Sequence, residues 1–381
     1  MKITIPKKEL STALQVVGSS VGTTGPEDIQ SHFLFRPFED RYEVLSSNGR
    51  VFSGCPFDCV KNDDDQKPFT VEGNRLRSWL SVVPDGSDIT IKLKDGTVTM
   101  SVSTSKGRAR FRSLDPTNFP YWDKTIDNVE ETCALLASRL TRILKFSRDF
   151  VSTEESKSPQ LCVAEVRDGV LWSTNKMAAC VIESSALADS EVRIHVKDTS
   201  AILAFLATFE EEGAVVRLFE HDRMMVLKRD DGAVFGETRF KTAFPDLKVE
   251  RDHIDLHWWG LNRDEVLYAI SFLTPSAGKK DFRLSFDRIS DDAVRVSMLA
   301  ETGDDVYLDI ACLEHGSEDG AEKISKFSIP YLSLKKVLSH MEDGPVRFGI
   351  NKHPKKENSG WVSFRKESDG DKYLTILVWM K

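Results

Sequence analysis

A weak self-similarity with a period near one third of the chain constrains the fold more than any other feature of this 381-residue sequence. Leu45-Ser46-Ser47-Asn48 returns as Trp172-Ser173-Thr174-Asn175, an offset of 127. Phe69-Thr70-Val71 returns as Ile194-His195-Val196 and again as Phe327-Ser328-Ile329. Each triplet leads into a helical pattern that stops at a glycine: Gly86, Gly213 and Gly344. Arg110-Phe111 followed by Phe119-Pro120 is echoed by Arg239-Phe240 followed by Phe244-Pro245. One spacing accounts for all of these echoes. The chain is therefore expected to hold three copies of one unit, 1–125, 126–252 and 253–381, divided in the loops near Asp123 to Asn128 and Glu250 to Asp255.

Each copy opens with an amphipathic helical pattern: Leu10, Ala13, Leu14 and Val17; then Leu136, Leu140, Ile143 and Leu144 in a helix expected from Leu135 to Phe150; then Val266, Ala269, Ile270 and Leu273. Spacings of three and four residues put these side chains on one helix face. Strand-like segments follow, such as His32 to Phe38 and Tyr42 to Leu45. A second helix comes next, marked by Leu76, Trp79, Leu80 and Val83, by Ile202, Phe205, Leu206 and Phe209, and by Leu334, Val337, Leu338 and Met341. Further strands close the unit, including Ile89 to Leu93 and Val215 to Phe219. The expected class is α+β: three domains, each with two helices backed by antiparallel sheet.

Composition narrows the function by exclusion. Hydrophobic residues make up 40% and charged residues 29%, an ordinary globular balance. No stretch has eighteen apolar residues in a row, and the start, MKITIPKKEL, is charged where a secretory signal is apolar, so a cytoplasmic protein with no membrane partner is expected. The cysteines at 55, 59, 133, 162, 180 and 312 are too scattered for a disulfide framework, and Cys55 and Cys59 have no second pair or histidine to complete a metal site; reduced core thiols are expected, and no metal or cofactor. The Walker, Gly-x-Gly-x-x-Gly and His-Glu-x-x-His patterns are missing and no Gly-x-Ser-x-Gly nucleophile elbow is expected, so no catalytic residues are assigned and an enzyme is not expected. Asp63-Asp64-Asp65 and Glu210-Glu211-Glu212 fall at expected turns and helix ends, and His253-Ile254-Asp255-Leu256-His257 alternates like a strand.

With these features in place, the sequence resembles the bacterial sliding clamp family, the β subunit of the replicative DNA polymerase, including its phage-encoded relatives. The resemblance runs through Met1-Lys2-Ile3-Thr4-Ile5, the Arg110-Phe111 to Phe119-Pro120 segment, Phe146-Ser147, Phe244-Pro245-Asp246 and the C-terminal Tyr373-Leu374 strand with its apolar tail. It implies a processivity factor in DNA replication: a head-to-tail homodimer whose six clamp domains close a ring around duplex DNA, with helices lining the hole.

The helices have cations suited to that role. Ser138, Arg142, Lys145 and Asp149 fall opposite Leu140 and Ile143 at 100° per residue, and the other polar faces carry Lys7 and Lys8, Arg75 and Arg77, Lys197, Arg263, and Lys335 and Lys336. Cations on every candidate helix of a chain with net charge -8 point to a basic channel; each could singly be an ordinary solvated residue. Sliding needs contacts to phosphates rather than bases, because a base-specific bond would pin the ring.

By resemblance, the polymerase and the clamp loader insert a hydrophobic peptide into a groove formed by Leu161, Ser173, Asn175, Lys176, Met177, Ala178, Pro245, Val249, Val378, Trp379 and Met380. The sequence has Asn175-Lys176-Met177 where Gly-His-Arg is usual, and it lacks the Met-Pro-Met-Arg-Leu ending. As ordinary structure, Met177, Trp379 and Met380 would be core or strand-end residues. The resemblance also sets Arg108 and Arg110 of one subunit against Phe272, Leu273, Glu301, Asp304 and Asp305 of the other, although such arginines also serve to keep an edge from aggregating. The alternative function is a clamp-fold scaffold that binds proteins without being loaded on DNA.

Overall fold

A computed structural model describes residues 1–62, 65–105, 107–120, 130–209, 211–221, 224–238, 242, 244–245, 255–276, 282–299, 305–318, 324–353 and 356–380. One order of elements recurs three times. The first copy runs β1 (Lys2–Pro6), α1 (Lys7–Val17), β2 (His32–Phe38), β3 (Arg41–Ser47), β4 (Val51–Phe57), the short β5 (Val60–Lys61), β6 (Phe69–Glu72), α2 (Gly73–Ser81), β7 (Asp88–Lys94), β8 (Thr97–Val102) and β9 (Arg108–Arg112). The second runs β10 (Glu130–Leu136), α3 (Ala137–Arg148), β11 (Val163–Arg167), β12 (Val170–Thr174), β13 (Ala178–Glu183), β14 (Arg193–His195), α4 (Val196–Leu206), β15 (Val215–His221), β16 (Met224–Lys228) and β17 (Val234–Thr238). The third runs β18 (His257–Asn262), α5 (Arg263–Leu273), β19 (Arg283–Arg288), β20 (Ala293–Leu299), β21 (Asp305–Ser317), β22 (Lys326–Pro330), α6 (Tyr331–Ser339), β23 (Pro345–His353), β24 (Lys356–Ser368) and β25 (Asp371–Met380).

The local chemistry explains the repetition. Each recurring triplet lies on a strand, β6, β14 or β22, that runs directly into the second helix of its copy, Val196 already being the first residue of α4. The glycine after each of those helices has φ of +73°, +92° or +113°, a backbone conformation that costs a side-chain-bearing residue energy. The first helix of the second copy is shorter than expected. Leu135 and Leu136 belong to β10, pairing with Val216 and Val215, and Leu136 faces solvent, so sheet pairing overrides the helical spacing there. Cys55, Cys162, Cys180 and Cys312 are free and buried, and burial pushes the Cys55 thiol up to about 12, which keeps it unreactive.

The chain divides into two compact units, Met1–Leu144 with Asp189–Lys241, and Lys145–Ala188 with Thr242–Lys381. The first unit contains a five-stranded sheet, β5-β1-β7-β8-β9, and an eight-stranded sheet, β10-β15-β16-β17-β4-β3-β2-β6. In the second unit β11-β12-β13 continues through β25 into the strands of the third copy. Among the described residues two antiparallel joints thus link different copies: β4 to β17, from Gly54 opposite Val234 to Val51 opposite Glu237, and β13 to β25, from Ala178 opposite Leu377 to Glu183 opposite Lys372. Gly236 makes the first joint possible, because a Cβ there would lie 2.0 Å from the Phe52 ring.

A buried polar cluster borders that joint. Glu237 accepts the backbone N–H of His195 at 3.0 Å, and Arg50 donates to Asp198 at 2.5 Å. Burial, with the Asp198 carboxylate close by, raises the Glu237 carboxyl well above its ordinary range. The folded protein keeps a proton that an unfolded glutamate releases above roughly pH 4.3, so stability falls as pH rises from there through the folded value. Glu237→Gln keeps the acceptor for His195 and removes the titration. Its melting temperature is expected to exceed the parent's by a margin that widens from about pH 5 to pH 8 in scanning calorimetry; a margin independent of pH would refute the titration.

Candidate nucleic-acid interface and partner groove

The helix cations fall into two groups. Lys8, Arg75, Lys145, Lys197 and Lys335 are exposed. The expectation fails for Arg77 and Arg263, which hold the fold together instead. Arg77 donates to the Gly18 carbonyl at 2.5 Å and lies over the Phe33 ring at 5.2 Å, and burial lowers its pKa. Arg263 caps the end of α6 by donating to the Leu338 carbonyl at 2.8 Å, and it also bonds Asp264 and Asp343, leaving 16% of its side chain exposed. Lys7 is tied to Asp85 at 2.6 Å, and Lys336 donates to the Asp149 carbonyl at 3.2 Å. Arg142 is half-buried. Helical periodicity found the polar faces but could not separate the exposed cations from those committed to carbonyls and carboxylates.

The described residues expected to form the groove lie in the second unit. Asn175 bends the chain between β12 and β13, its side-chain oxygen accepting the N–H groups of Met177 at 3.0 Å and Ala178 at 2.9 Å. Lys176 takes φ +77° in that turn and donates to Ser158 at 3.0 Å. Met177 is 38% exposed, and its carbonyl accepts the Val378 N–H at 3.0 Å, which sets the turn against the terminal strand. Leu161, Ser173 and Ala178 are buried beneath, Ser173 donating to the Ser147 carbonyl at 3.1 Å. Phe244 packs with Val170, Trp172, Val181 and Leu374, and places the half-buried Pro245. Trp379 and Met380 pair with Gly360 and Ser359 through their backbones, while Val249 lies outside the described residues.

Sequence reasoning missed Arg283. It donates to the Ser328 carbonyl at 2.5 Å and the Val378 carbonyl at 3.3 Å, anchoring the end of β25, and burial lowers its pKa. The outward place of Arg283 in the alternation Phe282-Arg283-Leu284-Ser285-Phe286 is the one sequence signal that marks it.

At the expected subunit contact, Arg108 and Arg110 are exposed on β9. Phe272 is 47% exposed and stacks on Tyr268 at 6.3 Å. Leu273 is a correction: it is fully buried in the core beneath α5 and has no surface to offer a partner. Glu301 and Asp304 lie outside the described residues, and of Asp305 only the backbone is described.

No protein-family model and no curated protein matches this chain. Solved structures do. The Caulobacter crescentus β sliding clamp superposes with a TM-score of 0.83 at 16% identity, covering 100% of this chain and 99% of that one. The Streptococcus pyogenes DNA polymerase β subunit gives 0.83 at 14%, and the Pseudomonas aeruginosa DNA polymerase III β subunit 0.81 at 16%, each covering 100% of both chains. The fold is that of the β sliding clamps. A clamp fold shared at such low identity fixes the path of the backbone and leaves the side chains of any site to this sequence. Function therefore has to be argued from the groups described above.

Proposed function

We propose that this chain is a non-catalytic sliding clamp, a closed homodimer that encircles duplex DNA and holds the replicative polymerase and the clamp loader by a hydrophobic peptide. The observation that carries this is the clamp fold over the full length of the chain. The chain is then three clamp domains, 1–125, 126–252 and 253–381.

The joints support ring closure. In both, the strand that comes third after the first helix of one copy pairs antiparallel with the last strand of the next copy: β4 with β17, and β13 with β25. Applied once more, the rule pairs β21 with β9, and these two have room. Among the described residues β9 has only β8 beside it, and Asp305–Ala311 of β21 only β20. Since β9 and β21 lie in the same chain's first and last copies, the third joint closes between two chains. Exposed Tyr268, Phe272 and Tyr307 supply apolar surface for that seam.

Duplex DNA then meets the exposed cations Lys8, Arg75, Lys145, Lys197 and Lys335. The test is retention on DNA after loading. The protein should stay on a closed circle and leave when the circle is cut, whereas a scaffold not loaded on DNA would ignore the cut. Changing Lys145, Lys197 and Lys335 to Ala is expected to weaken DNA affinity and to flatten its salt dependence by a log–log slope of roughly 0.9 per lost phosphate contact. Equal retention on circular and linear DNA would overturn the ring.

A further inference from the structure

The five-stranded sheet of the first unit has two unlike faces. One is core, with Ile3, Ile5, Ile89, Ile91, Val98 and Met100 fully buried and the Phe111 ring 6.3 Å from Trp79 of α2. The other carries Lys2, Lys92, Lys94, Arg108, Arg110 and Arg112, with Thr4, Thr90, Thr97, Thr99 and Ser101 between them. The register fixes this pattern: Lys2, Lys92, Thr99 and Arg110 form one row across β1, β7, β8 and β9, and Lys94, Thr97 and Arg112 form the next. Asp88, at the corner of β7, is the one carboxylate those four strands place on this face. Arg112 pairs with Glu27 at 3.3 Å; the other five cations have no carboxylate within ion-pair distance among the described residues.

Two features set this face apart from an ordinary solvated surface. The protein carries a net charge of -8, so six cations on one face run against its balance. Lys2 also lies directly opposite Lys92, and like charges in that position cost a sheet stability, so folding alone gives no reason to keep them.

We infer that this face binds the phosphate backbone of duplex DNA, separately from the helix cations. Hydroxyls and unpaired Lys and Arg are the groups that contact phosphates without regard to sequence. The face has no aromatic side chain on which unstacked bases could rest, which disfavours a single strand. Val60 and Pro6 are its apolar residues, too little to anchor an acidic peptide. Strands about 4.8 Å apart and alternate residues about 7 Å apart spread the cations over a flat patch, which suits a duplex lying across the sheet. In the clamp the helices behind this sheet would line the hole, so this second contact would hold DNA that is not threaded through it.

The test uses the full-length protein with Lys2, Lys92 and Lys94 all changed to Gln, which leaves β9 untouched, and a short labelled linear duplex. Anisotropy should show binding at least tenfold weaker at low salt, with a log–log salt slope shallower by nearly three contacts at roughly 0.9 each. Unaltered thermal unfolding would show that the fold is intact. Parent-like affinity and slope in this variant would overturn the inference, whatever the helix variant does. If the Lys145, Lys197 and Lys335 variant alone loses affinity, the ring stands and the second contact falls; if the sheet variant alone loses it, the reverse holds. Tighter binding of a single strand, or displacement of the duplex by polyglutamate of equal charge, would overturn the assignment to duplex DNA.

Discussion

Removal of Trp379, Met380 and Lys381 is expected to reduce processive synthesis by the cognate polymerase to its level without this protein, while the dimer stays intact. The deletion takes away the last pairs of β25, Trp379 with Gly360 and Met380 with Ser359, along with the contact of Met380 with Ser328. Tyr373, Leu374 and Leu377 remain buried behind it, so the strand keeps its core. In the proposed groove, the loss falls at the end of the strand that the exposed Met177 joins through its backbone hydrogen bond with Val378. A peptide anchor depends on a few such side chains, and losing them removes most of its binding energy. Neither β9 nor β21 is touched. Primer extension on a circular template, with molar mass measured in parallel, checks both halves; normal processivity in the truncated protein would place the polymerase elsewhere.

Replacing Asp255 with Ala should destabilise the second unit on the order of 3 kcal/mol. The Asp255 carboxylate is buried and accepts from Ser363 at 2.5 Å, Arg365 at 2.5 Å and Asn351 at 3.4 Å. Gly349 makes room for it, since a Cβ there would lie 2.2 Å from the carboxylate. Without Asp255, two buried donors lose an acceptor that water cannot replace. Arg365 is 41% exposed and can turn partly to solvent, which keeps the loss below that of a fully buried pair. Urea unfolding should show the full loss for Asp255→Ala and a smaller one for Asp255→Asn, which still offers an oxygen. Equal losses for the two would mean that volume matters at this position rather than hydrogen bonding.

The sequence disclosed what repeats and hid what does not. The triplets at Phe69, Ile194 and Phe327 and the glycines at 86, 213 and 344 were legible because each copy needs the same strand-to-helix passage and the same left-handed turn. The joints were not legible, since nothing in the run Val51 to Phe57 names β17 as its partner. Side-chain commitments were hidden for the same reason. Arg75 and Arg77 stand two residues apart on α2, roughly 200° around the helix, and it is Arg77 that reaches Gly18 and Phe33. Arg283 was hidden because its partner at the end of β25 lies one strand away from β19, across β22, and Leu273 differs from Phe272 by one step around α5, which is the difference between core and water. The basic sheet face was written as Lys92-Leu93-Lys94 and Arg108-Ala109-Arg110, alternations that state two sides without stating what lies across from them.

The joint of β4 with β17, and that of β13 with β25, separate the blocks that were copied from the blocks that melt. The second copy has no complete sheet of its own: β10 and β15–β17 are finished by strands of the first copy, and β11–β13 by β25 of the third. Its two halves are therefore expected to unfold with different neighbours, one with each compact unit. A fragment cut at the copy boundaries would expose two raw edges, each an invitation to aggregate, whereas the intact chain hides them within itself. For this protein the recurring order of elements spans a third of the chain, and the compact unit spans about a half.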